Sequence, residues 1–370
     1  MKGKECMPTF EIPDRMKAME LVAYDKLELR EVPVPQPGPG EVLCRIKSVA
    51  ICGSDPKLIH GGYKFANWPP SFPFIMGHEW AGQVVAVGEG VAGFQPGDRV
   101  AGEAHAGCGQ CENCKQGHYT VCLNYGKDGL NSPIDLGHRH YGFNWQGANA
   151  EYNVYKTKSL HKIPDNVSYD TASMCDCAGV ALHGVQLAGV TPGGCCVIIG
   201  PGAIGLCAMM ECKAMGADRV IMIGRGNKLD KARELGADFC IDFEKEDPVK
   251  KVLELTNGVG ADEIMECSGA SDSPMKACQM VRKTGSVAII ATYHTDQIPI
   301  PINLVNFNEI RIIGSKANPN VSEQVLRYLA SGTIQGDKLI THKFPLEDYA
   351  KAVDIFENKK NGSIKVVINP

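Results

Sequence analysis

The chain reads as an α/β protein of two domains, a small β-rich, barrel-like domain and a doubly wound parallel sheet. Three observations predict this. Residues 16–153 hold short alternating segments broken by Gly and Pro, residues 195–290 alternate apolar strands with helical stretches, and the tail returns to helix before one more strand. At 370 residues the chain is also too long for one ordinary core.

In the first part, Lys26–Val32 alternates apolar and polar side chains, Pro35–Gly40 breaks the chain, and Val42–Val49 resumes as strand. Trp80–Val87 ends at Gly88, and Gly97–Val100 closes the pattern. Ser168-Tyr-Asp-Thr-Ala opens like a capped helix, with apolar residues at helical spacing up to Gly189. From Cys196 the period changes: strand Cys196–Ile199, a glycine-rich turn and helix Ala203–Met215. There follow strand Val220–Ile223, helix Lys228–Leu235, strand Phe239–Ile241, helix Pro248–Thr256, strand Glu263–Cys267 and strand Ser286–Ile290. Such alternation predicts the parallel sheet. Helices Ser322–Ser331 and Leu346–Lys359 lead to strand Ser363–Ile368, which is placed to rejoin the first domain. There is no internal repeat and no low-complexity segment.

Hydrophobic residues at 44% and charged residues at 22% are those of a soluble globular protein. A net charge of −4 argues against a nucleic-acid or anionic-membrane partner. No apolar run reaches the roughly 18 residues of a membrane span, and the N-terminal stretch lacks the apolar core of a secretory signal. Of the 16 cysteines, Cys207, Cys212, Cys240, Cys267 and Cys278 stand singly in apolar segments and read as small core residues. Without an export signal the clustered ones read as metal ligands, and the expected compartment is the reducing cytoplasm.

The strongest motif is Cys108-x2-Cys111-x2-Cys114-x7-Cys122. Four thiolates satisfy tetrahedral zinc and leave no open position, so this is a structural site; the alternatives are a chance cluster of reduced cysteines and an iron–sulfur centre. Next comes Gly200-Pro-Gly202-Ala203-Ile204-Gly205, directly after an apolar strand and opening a helix. Its glycines allow a tight turn, close approach of backbone to a pyrophosphate, and helix–strand packing, which is the dinucleotide-binding pattern of a Rossmann fold. At the end of the second strand the position for a ribose-binding acid is filled by Gly224, with Arg225 beside it and Lys228 close by. A missing carboxylate next to a guanidinium favours NADP over NAD; the plainer reading makes Arg225 a solvated loop residue stacked on adenine. Finally, Cys52-Gly-Ser54-Asp55 and Gly77-His78-Glu79 place a thiol, an imidazole and carboxylates in one region. A catalytic zinc takes three protein ligands and keeps one position open, so a further ligand is required.

Taken together, Cys52–Asp55, Gly77–Glu79, Gly97–Val100, the four-cysteine lobe, Ala150-Glu151-Tyr152 and the Gly200–Gly205 loop resemble, over nearly the whole length, the zinc-dependent medium-chain dehydrogenase/reductases. The polyol, threonine and secondary-alcohol branch is the nearest in pattern. The resemblance implies a discontinuous GroES-like catalytic domain (1–178 and 318–370) around a Rossmann domain (179–317). It also implies two zinc ions per chain, a nicotinamide cofactor, a small-molecule alcohol or carbonyl substrate, and a homodimer or homotetramer.

The resemblance puts the missing ligand at Asp176, with Cys175 and Cys177 as flanking alternatives, and leaves open whether Glu79 or Asp176 binds directly or through water. It makes Asp55 the holder of the His78 imidazole, Ser54 the acceptor of the alcohol proton, and Glu151 an acid near the metal. Lys365 falls where relatives place a basic residue beside the cofactor phosphates and the Glu79-type acid. Pro56 stands where relatives carry a relay histidine, and His60 is the substitute. His105 resembles a specificity residue of threonine dehydrogenases, and Trp68, Phe72 and Trp80 are candidates for the pocket or for simple packing. The segment from Asn124 to Asn149 departs from the family; it either shapes the pocket or a subunit contact, or is a surface excursion. The implied activity is hydride transfer between a polyol, sugar or secondary alcohol and the cofactor. The alternatives are a threonine or amino-alcohol dehydrogenase, a zinc-free quinone or enone reductase, and a non-catalytic nucleotide-binding protein.

Overall fold

The computed structural model describes residues 10–125, 127, 137–295 and 297–370. Residues 1–9 of the N-terminal stretch in which a signal was sought, and most of the first half of the Asn124–Asn149 segment, lie outside the described residues. The chain divides into two compact units. The first comprises residues 1–176, 322–330 and 336–370, and the second residues 177–321 and 331–335.

The first unit is built on strands β1 (Arg15–Ala23), β2 (Lys26–Pro33), β3 (Glu41–Ala50), β4 (Phe74–Ile75), β5 (Glu79–Val87), β6 (Arg99–Gly102), β7 (His105–Ala106), β8 (Arg139–His140), β9 (Tyr152–Lys156) and β10 (Leu160–Lys162). The second holds β11 (Cys195–Ile199), β12 (Arg219–Gly224), β13 (Phe239–Asp242), β14 (Ala261–Glu266), β15 (Val281–Ile289) and β16 (Arg311–Gly314); β17 (Ile340–Pro345) and β18 (Lys365–Asn369) return to the first.

Among the described residues, the main sheet of the first unit runs β10-β6-β5-β3-β18-β17, with β9 also on β3. The last strand therefore does rejoin the first unit, antiparallel to β3 through Val367 opposite Ala50. Trp80, 1% exposed, stacks on Tyr155 with ring centroids 4.0 Å apart, and Gly102 leaves the space that the Trp80 ring fills. An aromatic pair of this kind adds about 1 kcal/mol beyond its buried area. Trp80 is thus a core residue and not part of a pocket. Register does the work that matters for chemistry. Ala50 lies opposite Glu79 across β3 and β5, so Cys52, just past the end of β3, meets His78 and Glu79 at the start of β5.

In the second unit six strands are parallel in the order β13-β12-β11-β14-β15-β16. The order reverses between β11 and β14, and ligands bind outside the carboxyl ends of strands at such a switch point. The glycine loop leaves β11 there. Gly200 has φ +104°, open to glycine alone, and a methyl group on Gly205 would meet the Gly200 carbonyl at 1.9 Å. Gly202 faces open space, as a backbone that must approach a ligand requires. The helix Ala203–Ala214 then starts with unpaired N–H groups.

Candidate active site

Cys52 Sγ, a ring nitrogen of His78 and a carboxylate oxygen of Glu79 all lie within 4.8 Å of one another. His78 and Glu79 are buried, at 4% and 2% exposure. Burial disfavours a charged imidazole, but the Cys52 thiol, Asp55 and Asp176 beside it raise His78 to about 10. Burial pushes the Cys52 thiol up, as does Glu79. Sulfur, nitrogen and oxygen donors at this spacing fit zinc. Lys365 Nζ donates to Glu79 Oε2 at 2.6 Å and to the Ile51 carbonyl at 3.3 Å, so β18 contributes a buried ammonium to the same end of the sheet.

Asp176 opens the helix Cys175–Ala188 and lies outside that three-residue group, within electrostatic reach of His78 and Glu79. Its carboxyl is raised to about 7, first by burial, and its Oδ1 receives the Ala104 N–H at 3.5 Å. The Cys175 thiol points instead to the Ser322 carbonyl at 3.6 Å. Asp55 is 2% exposed; its Oδ2 accepts the Cys52 N–H at 2.8 Å, while Oδ1 stands 3.7 Å from His78 Nδ1. The Asp55 carboxylate therefore fixes the Cys52 backbone directly and only faces the imidazole, which is too far for a hydrogen bond. Ser54 Oγ is shielded from solvent and has no protein partner.

Two expected residues lie elsewhere. His60 is exposed, its Nδ1 2.5 Å from Asp25 Oδ1 and its Nε2 3.2 Å from Glu357, and these carboxylates engage the ring a relay would use. Glu151 turns its carboxylate to the Lys17 N–H at 2.7 Å, tying the start of β9 to β1. It is not in the metal-ligand group.

The residues sequence reasoning underrated are aromatic. Phe143 stacks on His140 at 4.0 Å and lies 4.8 Å from the His78 ring, and Trp68 meets both Phe143 and His140 edge-on. His105 stacks on His140 at 4.1 Å, and Tyr125 Oη lies 2.7 Å from His140 Nδ1. Residues 138–144 are buried, so this part of the divergent segment is no surface excursion. It walls the site. Phe72 pairs instead with Tyr24.

In the cysteine lobe the Cys108–Cys114 and Cys111–Cys122 sulfurs are each 3.8 Å apart. Metal–sulfur bonds of about 2.3 Å arranged tetrahedrally give edges of about 3.8 Å, whereas a disulfide would need about 2.05 Å. No described cysteine is in a disulfide. Burial works against charge on Cys108, but the N–H groups of Cys111 and Gln110 outweigh it and hold the thiol at about 6. Burial drives its neighbour Cys114 up to about 12. Four thiolates side by side need a central cation, and one tetrahedral ion fits where a multi-iron cluster would spread them further.

In the second unit, a side chain at Gly224 would collide with the Pro201 ring at 2.4 Å. The glycine loop itself thus forbids an acid at that position. Arg225 is exposed and pairs with Glu244 at 2.8 Å; its guanidinium lies 5.9 Å from the Phe243 ring. Asp242 faces Gly224 across the β12–β13 register. A hollow of about 290 Å³ beside them is lined by Gly226, Arg233, Asp242 and Lys245. An open depression of about 830 Å³, lined by Phe243, Glu244 and Lys276 among others, borders the same turn, and none of its lining residues is a candidate metal ligand.

Residues 38–165 match the alcohol dehydrogenase GroES-like domain, and residues 203–331 match the zinc-binding dehydrogenase family. The sorbitol dehydrogenase of Bacillus subtilis is 31% identical over 363 residues, covering 98% of this chain and 99% of its own. The chain belongs to the zinc-dependent alcohol dehydrogenase family. L-threonine 3-dehydrogenase of Pyrococcus horikoshii, another relative, is 34% identical over 345 residues, covering 91% of this chain and 94% of its own. A zinc-binding dehydrogenase of Sinorhizobium meliloti, solved bound to NADP, superposes with a TM-score of 0.86 at 29% identity, covering 97% of this chain and all of its own. This medium-chain dehydrogenase is therefore an enzyme of GroES-like and Rossmann architecture. Among its described residues no helix is long and apolar enough to cross a membrane.

Proposed function

We propose that this dehydrogenase oxidises a polyol or secondary alcohol, or reduces the matching carbonyl, with NADP preferred over NAD and two zinc ions per chain. The observation that carries the reading is the convergence of Cys52, His78 and Glu79 beside an unpartnered Ser54 hydroxyl. Cys52, His78 and one or both of Glu79 and Asp176 hold the catalytic zinc, and Cys108, Cys111, Cys114 and Cys122 hold the structural one. When bound, zinc supplies a Lewis acid for the substrate oxygen and nicotinamide supplies the hydride acceptor.

The chain's own residues do the rest. Ser54 Oγ, free of protein partners, accepts the alcohol proton as it gives up its own to solvent. Asp55 holds the Cys52 backbone and faces His78. Lys365 balances Glu79 when that carboxylate is not on the metal. Phe143 and Trp68 exclude water beside His78. Polyol specificity is supported by the named likeness to a sorbitol dehydrogenase and by buried imidazoles at His105 and His140. NADP preference is supported by Gly224, Arg225 and the basic side chains of Arg233 and Lys245 in the adjoining hollow. The family likeness also supports a homodimer or homotetramer, and the unbridged cysteines among the described residues support a reducing cytoplasm.

Metal analysis of the purified protein tests the zinc assignment: two zincs per chain are expected, and one or none would overturn it. A panel of polyols, sugars, threonine and secondary alcohols assayed with both cofactors tests the rest. Efficient turnover confined to threonine, or a clear preference for NAD, would overturn the corresponding part.

A further inference from the structure

Glu103 is a buried carboxylate, 1% exposed, that the reaction as described does not use. It lies just past the end of β6, and such a group is kept in a core only if its oxygens are well satisfied. Oε2 accepts the Tyr119 hydroxyl at 2.7 Å, Oε1 accepts the Ser322 hydroxyl, and His161 Nε2 stands 2.8 Å from Oε1. Each partner leads somewhere different.

Tyr119 belongs to the cysteine lobe. Its carbonyl accepts the Cys122 N–H at 3.2 Å, and a methyl group on Gly107 would strike Tyr119 Cβ at 2.6 Å and Cys114 Sγ at 2.8 Å, so Gly107 holds the Tyr119 backbone and the Cys114 sulfur close on one side of the lobe. On the other side, two contacts end within one residue of the third candidate ligand. Ala104, the next residue after Glu103, gives its N–H to Asp176 Oδ1 at 3.5 Å, and Ser322 receives the Cys175 thiol on its carbonyl at 3.6 Å. The path from lobe to Asp176 is thus Tyr119, Glu103, then Ala104 and Ser322 in parallel.

We propose that Glu103 is a positioning residue through which the cysteine lobe, once filled, sets the place of Asp176 and hence the metal affinity of the catalytic site. This rests on the reading that Asp176 serves the same metal as Cys52 and His78. Carboxylates and hydroxyls behind a ligand orient it, and losing one costs about 10–100-fold in metal affinity.

The test uses the full-length protein with zinc left in the lobe and cobalt(II) titrated into the catalytic site, in Tyr119→Phe, Ser322→Ala, Glu103→Gln and Asp176→Asn. Tyr119→Phe and Ser322→Ala each delete one hydroxyl and keep the fold should Glu103→Gln fail to. The expected result is a cobalt affinity at least about tenfold weaker in each variant, with a shifted visible ligand-field band, one zinc per chain still in the lobe, and kcat lowered more than KM. A merely structural Glu103 would lower the melting temperature and leave affinity and band at wild-type values; that outcome overturns the proposal. Should Asp176→Asn weaken cobalt binding while the other variants do not, only the link through Glu103 fails. If Asp176→Asn also leaves cobalt binding unchanged, the ligand reading of Asp176 fails with it.

Discussion

Lys365 and Glu79 form a buried ion pair at 2.6 Å, with side chains 3% and 2% exposed. Removing one partner strands a charge in a low-dielectric site, a loss of about 3–5 kcal/mol. Lys365→Met should therefore lower the unfolding free energy of the metal-free protein by about that amount, and zinc should restore much of it by supplying the missing positive charge. Urea unfolding with and without chelator measures this; an unshifted midpoint in chelator would show that Glu79 is paired elsewhere. His60 is the contrasting case. Asp25 and, against a small desolvation cost, Glu357 raise its pKa above the ordinary value near 6.5. Its contribution to stability is fully present below about pH 6.5 and fades as pH rises through the raised folded value. Because the ring is exposed, the effect is below about 1 kcal/mol. His60→Gln should show that small loss at pH 5.5, none at pH 9, and unchanged turnover; a fall in kcat would put His60 back in a proton relay. That Cys52 and His78 come together was legible in the sequence because each sits in a short motif whose neighbours carry the same chemistry. Glu151 and His60 were misplaced because a motif names a residue but not the direction of its side chain, which Lys17, Asp25 and Glu357 decide.

At the scale of elements, the β11–loop–helix unit was read correctly because three glycines at fixed spacing have one steric solution, which Gly200 and Gly205 display. Other elements left weaker marks. The helix Ile302–Phe307 buries none of its residues, so no apolar period announces it, and β16 is a four-residue edge strand with no buried side chain. The helix Ser273–Met280 did have a signal, Pro in its first turn, that went unused. The collision between Gly224 and Pro201 likewise appears only once the loop folds back on β12, and it carries a prediction. Gly224→Asp alone should reduce kcat/KM with both cofactors, because the new carboxylate meets the Pro201 ring 2.4 Å from Cβ. Combined with Pro201→Ala it should recover activity and move preference toward NAD, as the acid reaches the ribose. Steady-state kinetics with both cofactors decide, and a clean switch to NAD by Gly224→Asp alone would remove Pro201 as the obstacle. Arg225→Ala should lower preference for NADP in the same assay.

The whole molecule divides its work between two units, each with its own apolar core. One core gathers around Trp80, Tyr141 and Tyr155, the other around Val197, Ile221 and Ile264. The candidate metal ligands belong to the first and the glycine loop to the second, and the chain leaves and re-enters the first unit to achieve this. Composition and period announced the two architectures, but the site of chemistry depends on long-range register: Ala50 opposite Glu79, and Val367 opposite Ala50. Pairings so far apart in sequence leave no local trace. The same division makes binding and chemistry separable. Cys52→Ala removes a thiolate from the first unit and alters nothing in the core that supports Gly200–Gly205. Zinc supplies several kcal/mol of transition-state stabilisation, so turnover should fall by at least about a thousandfold. Dinucleotide affinity, followed by nicotinamide fluorescence or calorimetry, should hold at the wild-type value. Retained turnover would show that Cys52 is not a metal ligand, whereas lost dinucleotide binding would show that the second unit depends on the metal centre of the first.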